Sequence, residues 1–104
     1  MRVFVSGPYT NGDVAVNMRN AVLAADRLLR KGHIPYVPHL THLWHMIVPH
    51  LYEDWLTLDK EWLKICDAVL RLPGESHGAD DEVKTAECLG IPVYYSEVSI
   101  PPAR

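Results

Sequence analysis

The sequence predicts an α/β domain with a parallel β-sheet and helices on both faces. Short apolar segments rich in β-branched residues alternate with longer segments of helical periodicity, and turn residues separate them. The 104 residues are 48% hydrophobic and 22% charged, which suffices for one buried core. We therefore expect residues 1–104 to form a single domain, with a tail from about residue 96.

The predicted strands are short and bounded by turns. They span residues 3–5, 34–37, 67–72 and 91–95. The first is a Val-Phe-Val run that Gly7 and Pro8 end, and it reads as buried on both faces. Pro35 and Pro38 shorten the second strand. Pro73 and the glycine after it end the third.

The predicted helices have apolar residues at helical spacing. They span residues 14–31, 54–66 and 79–89, and one or two further turns are expected around 40–48. Asp13 is a suitable N-cap for the first helix, and Gly32 provides its stop. Three acidic residues in the first turn of the last helix, with Gly90 after its end, fit the helix dipole.

Composition narrows the class of protein. Ten Lys and Arg against 13 Asp and Glu give a net charge of -3, which argues against a nucleic-acid-binding surface. No apolar run approaches the roughly 20 residues that span a bilayer, so we expect no membrane partner. Cys66 and Cys88 are too few for a disulfide framework. We expect both to be buried free thiols in a cytoplasmic protein.

Three loops are predicted to share the carboxyl edge of the sheet, where open α/β sheets bind ligands. They are residues 6–13, 38–45 and 73–81. The first and third lead into helix N-termini, whose backbone N–H groups suit an anion. Neither loop has the glycine pattern of a phosphate-binding or dinucleotide-binding loop. The alternative is that their glycines only serve tight turns.

Two acidic residues are candidate catalytic groups. Asp59 shares a helical face with Trp55 and Trp62, where desolvation raises a carboxyl pKa and suits it to acid–base chemistry. Glu82 shares a face with Ala86 and is expected to point inward. The structural alternative for Asp59 is a carboxylate paired with a backbone N–H or an arginine. The structural alternative for Glu82 is that it only complements the helix dipole.

The segment 38–50 contains four histidines whose role the sequence leaves open. They are His39, His42, His45 and His50. Their H-x-x-H-x-x-H spacing is compatible with metal binding, but no carboxylate partner lies nearby in the sequence. The favoured interpretation is that they wall a pocket with Trp44, and solvated histidines are the other alternative.

Three sequence elements resemble the nucleoside 2-deoxyribosyltransferase superfamily. They are Ser6-Gly7-Pro8-Tyr9 after the first strand, Asp59-x-x-Trp62-Leu63 followed by Asp67-Ala68-Val69, and Ser76-x-Gly78-x-x-x-Glu82. The branch that the chain most resembles contains small uncharacterised bacterial and phage members together with the 2′-deoxynucleoside 5′-phosphate N-hydrolases. The resemblance covers residues 1 to about 95 and implies a flavodoxin-like, or Rossmann-like, three-layer sandwich with a four- to five-stranded parallel sheet.

The resemblance also implies chemistry at an N-glycosidic bond. Glu82 matches the nucleophilic glutamate, Asp59 a second acid that protonates the base or orients the substrate, and Tyr9 an aromatic residue that hydrogen-bonds the glutamate. The substrate-binding residues expected in the matching elements are Ser6, Gly7, Pro8, Ser76 and Gly78. His42 is a further expected substrate-binding residue, as one of the histidines that are expected to wall the pocket.

We accordingly expect an enzyme that cleaves or transfers at the N-glycosidic bond of a nucleoside or nucleoside 5′-monophosphate, without cofactor or metal. We expect a homo-oligomer, a dimer or higher, with Trp44, Tyr52 and Trp55 as candidate interface residues. The alternatives are a nucleotide-binding module without catalysis and a histidine-based metal-binding protein. Residues 38–50 have no counterpart in the resemblance, and we expect them to determine substrate identity.

Overall fold

The computed structural model describes residues 1–103, which contain four strands and four α-helices. The strands are β1 (Arg2–Ser6), β2 (Ile34–Tyr36), β3 (Ala68–Arg71) and β4 (Val93–Tyr94). The helices are α1 (Val14–Arg30), α2 (Thr41–Ile47), α3 (Tyr52–Lys64) and α4 (His77–Cys88). All strand pairs are parallel, in the order β2-β1-β3-β4. The predicted α/β fold with a parallel sheet is confirmed.

Alternation along β1 produces two cores, one on each face of the sheet. Val3 and Val5 pack with Leu28 of α1. Phe4 points the other way and packs with Leu63 of α3 and Ala86 of α4. Helices therefore cover both faces, and the residue after Val5 is directed toward α3 and α4.

Two loops at the carboxyl edge pack tightly against each other. A Cβ atom on Gly7 would lie 2.9 Å from Leu72 Cβ, and one on Gly74 would lie 2.8 Å from Pro8 Cγ. Gly74 also has a φ of 112°, a conformation that side chains disfavour. These glycines allow the loops after β1 and β3 to approach.

Helix boundaries differ from the sequence predictions in two places that affect the site. Helix α3 begins at Tyr52 rather than at residue 54. Helix α4 begins at His77, because Ser76 caps it by accepting a hydrogen bond from the Ala79 N–H. Glu82 therefore lies in the second turn of α4, not in the first turn as we predicted.

The segment between β2 and α3, residues 37–51, is helical but largely exposed, and we refer to it as the α2 segment. A 3-10 turn at Pro38–Leu40 precedes α2, and none of the α2 side chains is buried. Large apolar side chains along this segment and at the first residue of α3 are exposed, namely Leu40, Leu43, Trp44, Met46, Ile47, Val48, Leu51 and Tyr52. Its place in the fold therefore depends on polar and aromatic contacts with its neighbours.

The residues after β4 differ from the tail that we expected. A 3-10 turn at Glu97–Ser99 follows the strand, and Ile100 is buried in the core beside α1. Arg27 of α1 also donates to both carboxylate oxygens of Glu97, at 2.6–2.9 Å. These contacts fold the segment back onto the domain.

The two cysteines differ in exposure. Cys66 is buried as predicted, and burial raises its pKa to about 11. Cys88 is exposed, so the prediction for this residue was wrong. It is the last residue of α4 and is not among the buried residues of that helix, Ala79, Val83 and Ala86. Among residues 1–103, no helix has the length and apolar character needed to cross a membrane.

Candidate active site

A cleft of about 500 Å³ opens at the carboxyl edge of the sheet. It lies between the three loops that the sequence placed there and the inner face of α3. Its lining residues are Gly7, Tyr9, Thr10, Pro38, His39, Thr41, His42, His45, His50, Tyr52, Trp55, Leu56, Asp59, Ser76, Gly78, Ala79 and Glu82. Such a volume suits a small organic molecule.

Glu82 projects from α4 into this cleft. The Ser6 hydroxyl donates a hydrogen bond to Glu82 Oε1 at 2.7 Å, and Ser6 is fully buried at the end of β1. Burial raises the pKa of the Glu82 carboxyl from 4.5 to about 7. The Ser6 hydrogen bond opposes this rise, and the negative charge of Asp59 adds to it.

Asp59 projects from α3 into the same cleft. The Tyr36 hydroxyl donates to Asp59 Oδ1 at 3.3 Å. Burial raises the pKa of the Asp59 carboxyl from 3.8 to about 6, and the Tyr36 hydrogen bond opposes the rise. The cleft therefore holds two carboxyl groups whose pKa values lie near neutral pH, a range that suits acid–base catalysis.

Tyr36 fixes the position of Asp59 and was missed in the sequence. Its ring stacks on Trp62, with centroids 5.3 Å apart and an interplanar angle of 19°. Desolvation, followed by the charge and hydrogen bond of Asp59, raises the pKa of the Tyr36 hydroxyl, so it remains a donor at neutral pH. Its position at the end of β2, on the ligand-binding edge, was the available signal.

Tyr9 does not hold Glu82, contrary to the expectation from the resemblance. Its hydroxyl instead hydrogen-bonds His42 Nδ1, and its ring also packs edge-on against His39. Ser6 makes the contact expected of Tyr9. The tyrosine still lines the cleft, where it joins the loop after β1 to α2.

The loop contacts distinguish the other predicted binding residues. Gly7, His42, Ser76 and Gly78 line the cleft, as do Tyr9 and both acidic residues. Ser6 lies beneath the lining, bonded to Glu82. Pro8 contributes its carbonyl oxygen, which is 2.8 Å from His39 Nε2, and its ring packs against the loop after β3.

His39 is a structural member of the site. It is 5% exposed, and burial lowers its pKa. The neutral ring therefore carries its proton on Nε2 and donates it to Pro8 O. This bond attaches the segment before α2 to the loop after β1.

Two tryptophans and two histidines form an aromatic cluster at one end of the cleft. Trp55 is its centre: its ring lies edge-on to Trp44 and His50, with centroids 5.2 Å apart in both pairs. The Trp55 indole N–H donates to His45 Nδ1 at 3.0 Å. We refer to Trp44, His45, His50 and Trp55 as the aromatic cluster.

The histidines of segment 38–50 are occupied by protein partners. His39 bonds Pro8, His42 bonds Tyr9, and His45 accepts from Trp55. His50 lies 3.6 Å from Asp54 Oδ2. Within the described part of the chain, no three His, Cys, Asp or Glu side chains are grouped to hold a metal ion.

Arg71 organises the loop after β3. It donates to the carbonyl oxygens of Leu72 and Gly74 and to Asp80 Oδ1, the last at 3.1 Å. Its guanidinium faces a second, shallower cleft of about 590 Å³ on a different face of α4. The two perturbed carboxyl groups line the first cleft, which is therefore the candidate active site.

The sheet order and the placement of helices on both faces define an α/β protein with a parallel sheet. The structure is similar to that of a 2-deoxyribosyltransferase from Bacillus psychrosaccharolyticus, described as a biocatalyst for the synthesis of antiviral and antitumoral nucleosides. The TM-score is 0.67 at 20% identity, over 89% of this chain and 69% of that one. A comparison with curated proteins gives no match. The chain belongs to the family described as "Domain of unknown function (DUF7768)", whose model matches residues 1–96.

Proposed function

We propose that this protein is an enzyme that cleaves or transfers at the N-glycosidic bond of a nucleoside or nucleoside 5′-monophosphate, with Glu82 as nucleophile. The observation that carries the proposal is the buried Glu82 carboxyl, held by Ser6 in a cleft beside a second carboxyl group. Similarity in fold to a 2-deoxyribosyltransferase supports the same class of reaction.

In the first step, a carboxylate oxygen of Glu82 forms a bond to C1′ of the sugar while the C1′–N bond breaks. The bond electrons leave with the nucleobase, and Asp59 donates its proton to the base. A glycosyl ester on Glu82 and a neutral free base result. Because C1′ becomes electron-poor during this step, the adjacent carboxylate stabilises the transition state.

In the second step, water or another nucleobase attacks C1′ and the ester bond to Glu82 breaks. The Asp59 carboxylate takes the proton of the attacking group, which restores both acids. Each step inverts C1′, so the overall reaction retains configuration.

The carboxyl pKa values supply the single proton that this mechanism requires. The mechanism requires one ionised and one protonated carboxyl group. With a pKa of about 7 for Glu82 and about 6 for Asp59, the pair holds about one proton between pH 6 and 7. In the free protein that proton lies mainly on Glu82, which has the higher pKa. The reactive form is therefore the minor one, in which Glu82 is ionised and Asp59 is protonated. Positive charge developing at C1′ favours the ionised form of the nearer group, Glu82.

The test is release of free base, measured by HPLC. The protein is incubated with the common deoxynucleosides and their 5′-monophosphates, with and without a second base. We expect release or exchange that is abolished in Glu82→Ala and Glu82→Gln. Glu87→Gln, which changes an exposed acid on the same helix, is the matched control and should retain activity.

Two outcomes would contradict the proposal. Full turnover in the Glu82 variants would remove this residue from the mechanism. Binding of nucleosides without turnover would instead identify a nucleotide-binding module.

Three further expectations remain proposals. We propose that residues 1–104 form one domain and that the protein is a homo-oligomer, which the exposed apolar side chains of the α2 segment support. We also propose a cytoplasmic location, because Cys66 and Cys88 are free thiols.

A further inference from the structure

The tautomer of the His45 ring is determined by its neighbours. Its Nδ1 atom accepts from the Trp55 indole N–H at 3.0 Å and lies 3.2 Å from the backbone N–H of His50, which also donates to it. Both partners are donors only. Nδ1 must therefore present its lone pair, and the neutral ring carries its proton on Nε2.

This arrangement gives the cleft a hydrogen-bond donor of fixed identity. His45 lines the cleft, and within residues 1–103 its Nε2 atom has no hydrogen-bond partner in the structure. The Nε2 atom is consequently a donor and cannot become an acceptor without breaking both bonds.

His45 bonds Trp55 and lies on the side of the cleft from which Asp59 projects. Trp55 precedes Asp59 by four residues in α3, so the two side chains lie one turn apart on the same face, about 6 Å between Cβ atoms. Asp59 is the group that protonates the leaving base in the proposed reaction. A base leaving toward Asp59 therefore extends toward Trp55 and His45.

We propose that His45 is a specificity-determining residue that selects nucleobases with a keto oxygen on the edge remote from the sugar. A 6-oxopurine or 4-oxopyrimidine accepts a hydrogen bond from Nε2–H. The corresponding amino bases present an N–H donor at that position, so two donors face each other and neither is satisfied. This inference rests on the proposed function, and it names the class of substrate.

The experiment compares isosteric pairs: deoxyinosine with deoxyadenosine, and deoxyuridine with deoxycytidine. For the wild-type protein we expect kcat/KM to favour the keto member of each pair by at least about tenfold, in line with one lost hydrogen bond and one unpaired donor. The difference should be mainly in KM. A preference for the amino members would overturn the proposal.

Two substitutions separate the donor from the structural role of the ring. In His45→Asn, the side-chain oxygen replaces Nδ1 as acceptor for Trp55, but no donor reaches the Nε2 position. We expect the keto preference to fall to about one while the melting temperature stays close to wild type. His45→Gln places an amide N–H near the Nε2 position and should restore part of the preference. His77→Asn, at an exposed histidine outside the cleft, is the matched control and should leave the ratio unchanged.

Equilibrium binding distinguishes failure of this inference from failure of the proposed function. Calorimetry on Glu82→Ala gives the dissociation constants for the same four nucleosides. This measurement does not depend on turnover. A keto preference in binding without turnover in wild type would reject the glycosidic reaction and retain the role of His45. Turnover with the same keto-to-amino ratio of kcat/KM in wild type and His45→Asn would reject the role of His45 alone. Absence of both binding and turnover for all four would reject both.

Discussion

Replacing Glu82 by Gln should make the protein more stable at alkaline pH while removing its activity. The folded structure raises the pKa of this carboxyl from 4.5 to about 7, because burial penalises the ionised form. A raised pKa means that the folded state holds the proton more tightly than the unfolded chain. The associated stability is fully present below about pH 4.5 and is lost as the pH rises through about 7.

The size of the effect follows from the shift. About 2.5 pH units at ~1.36 kcal/mol each gives an upper limit of about 3 kcal/mol. Gln has nearly the shape of the protonated carboxyl and its side-chain oxygen still accepts from Ser6. The variant should therefore escape the loss that the wild type undergoes between pH 5 and 8.5, and gain on the order of 2 to 3 kcal/mol at the higher pH.

The assay is urea unfolding followed by tryptophan fluorescence at pH 5, 7 and 8.5. We expect the two proteins to have similar stability at pH 5 and to diverge as the pH rises. Glu87→Gln, at an exposed position, controls for loss of a negative charge and should run parallel to wild type. If the free energy of unfolding of Glu82→Gln changes with pH in the same way as that of wild type, the reasoning that burial destabilises the Glu82 carboxylate is refuted.

Three other predictions follow from the same contacts. The pH profile of kcat/KM should be bell-shaped with a maximum between pH 6 and 7, because one carboxyl group must be ionised and the other protonated; a flat profile from pH 5 to 8 would exclude the Glu82–Asp59 pair. Ser6→Ala should lower kcat by about 10- to 100-fold and move the alkaline limb to higher pH, since removing the hydrogen bond raises the Glu82 pKa, which is the higher of the two; stopped assays over pH check both, and an unmoved limb contradicts the role of Ser6. Ile47→Glu, at a side chain 72% exposed, should shift a homo-oligomer toward monomer in analytical ultracentrifugation, and an unchanged sedimentation coefficient would exclude the α2 segment as the interface.

Local sequence signals were sufficient for most of the fold. The β-branched run in β1 and the periodicity of α1 act over a few residues, so they are readable without knowledge of distant contacts. The start of α4 was misplaced because the Ser76 side chain, not the apolar pattern, sets the first turn. The packing of Ile100 depends on contacts with α1 and had no local signal.

The site was predictable at the level of which loops meet, but not at the level of which atoms bond. Ser6 ends β1 and Tyr9 lies in the loop after it. From the sequence, we predicted the Glu82 contact for Tyr9 and a substrate-binding role for Ser6. The choice depends on strand alternation: Ser6 continues the side of the sheet that Phe4 occupies, toward α4, whereas Tyr9 lies in the loop beyond the strand. The aromatic cluster was harder still, because it joins an irregular segment to α3 through the Trp55–His45 contact.

The exposed position of α2 separates folding stability from ligand recognition, two properties that a protein must balance as its sequence diverges. The helix places no side chain in either core, yet it supplies His42 and His45 to the cleft. Substitutions there remove little apolar burial, so they change ligand contacts at low cost in folding free energy. The Glu82–Ser6 pair, in contrast, is tied to β1 and the centre of the sheet. New substrate preferences are therefore most accessible through variation of this one segment, while the chemistry at Glu82 stays fixed.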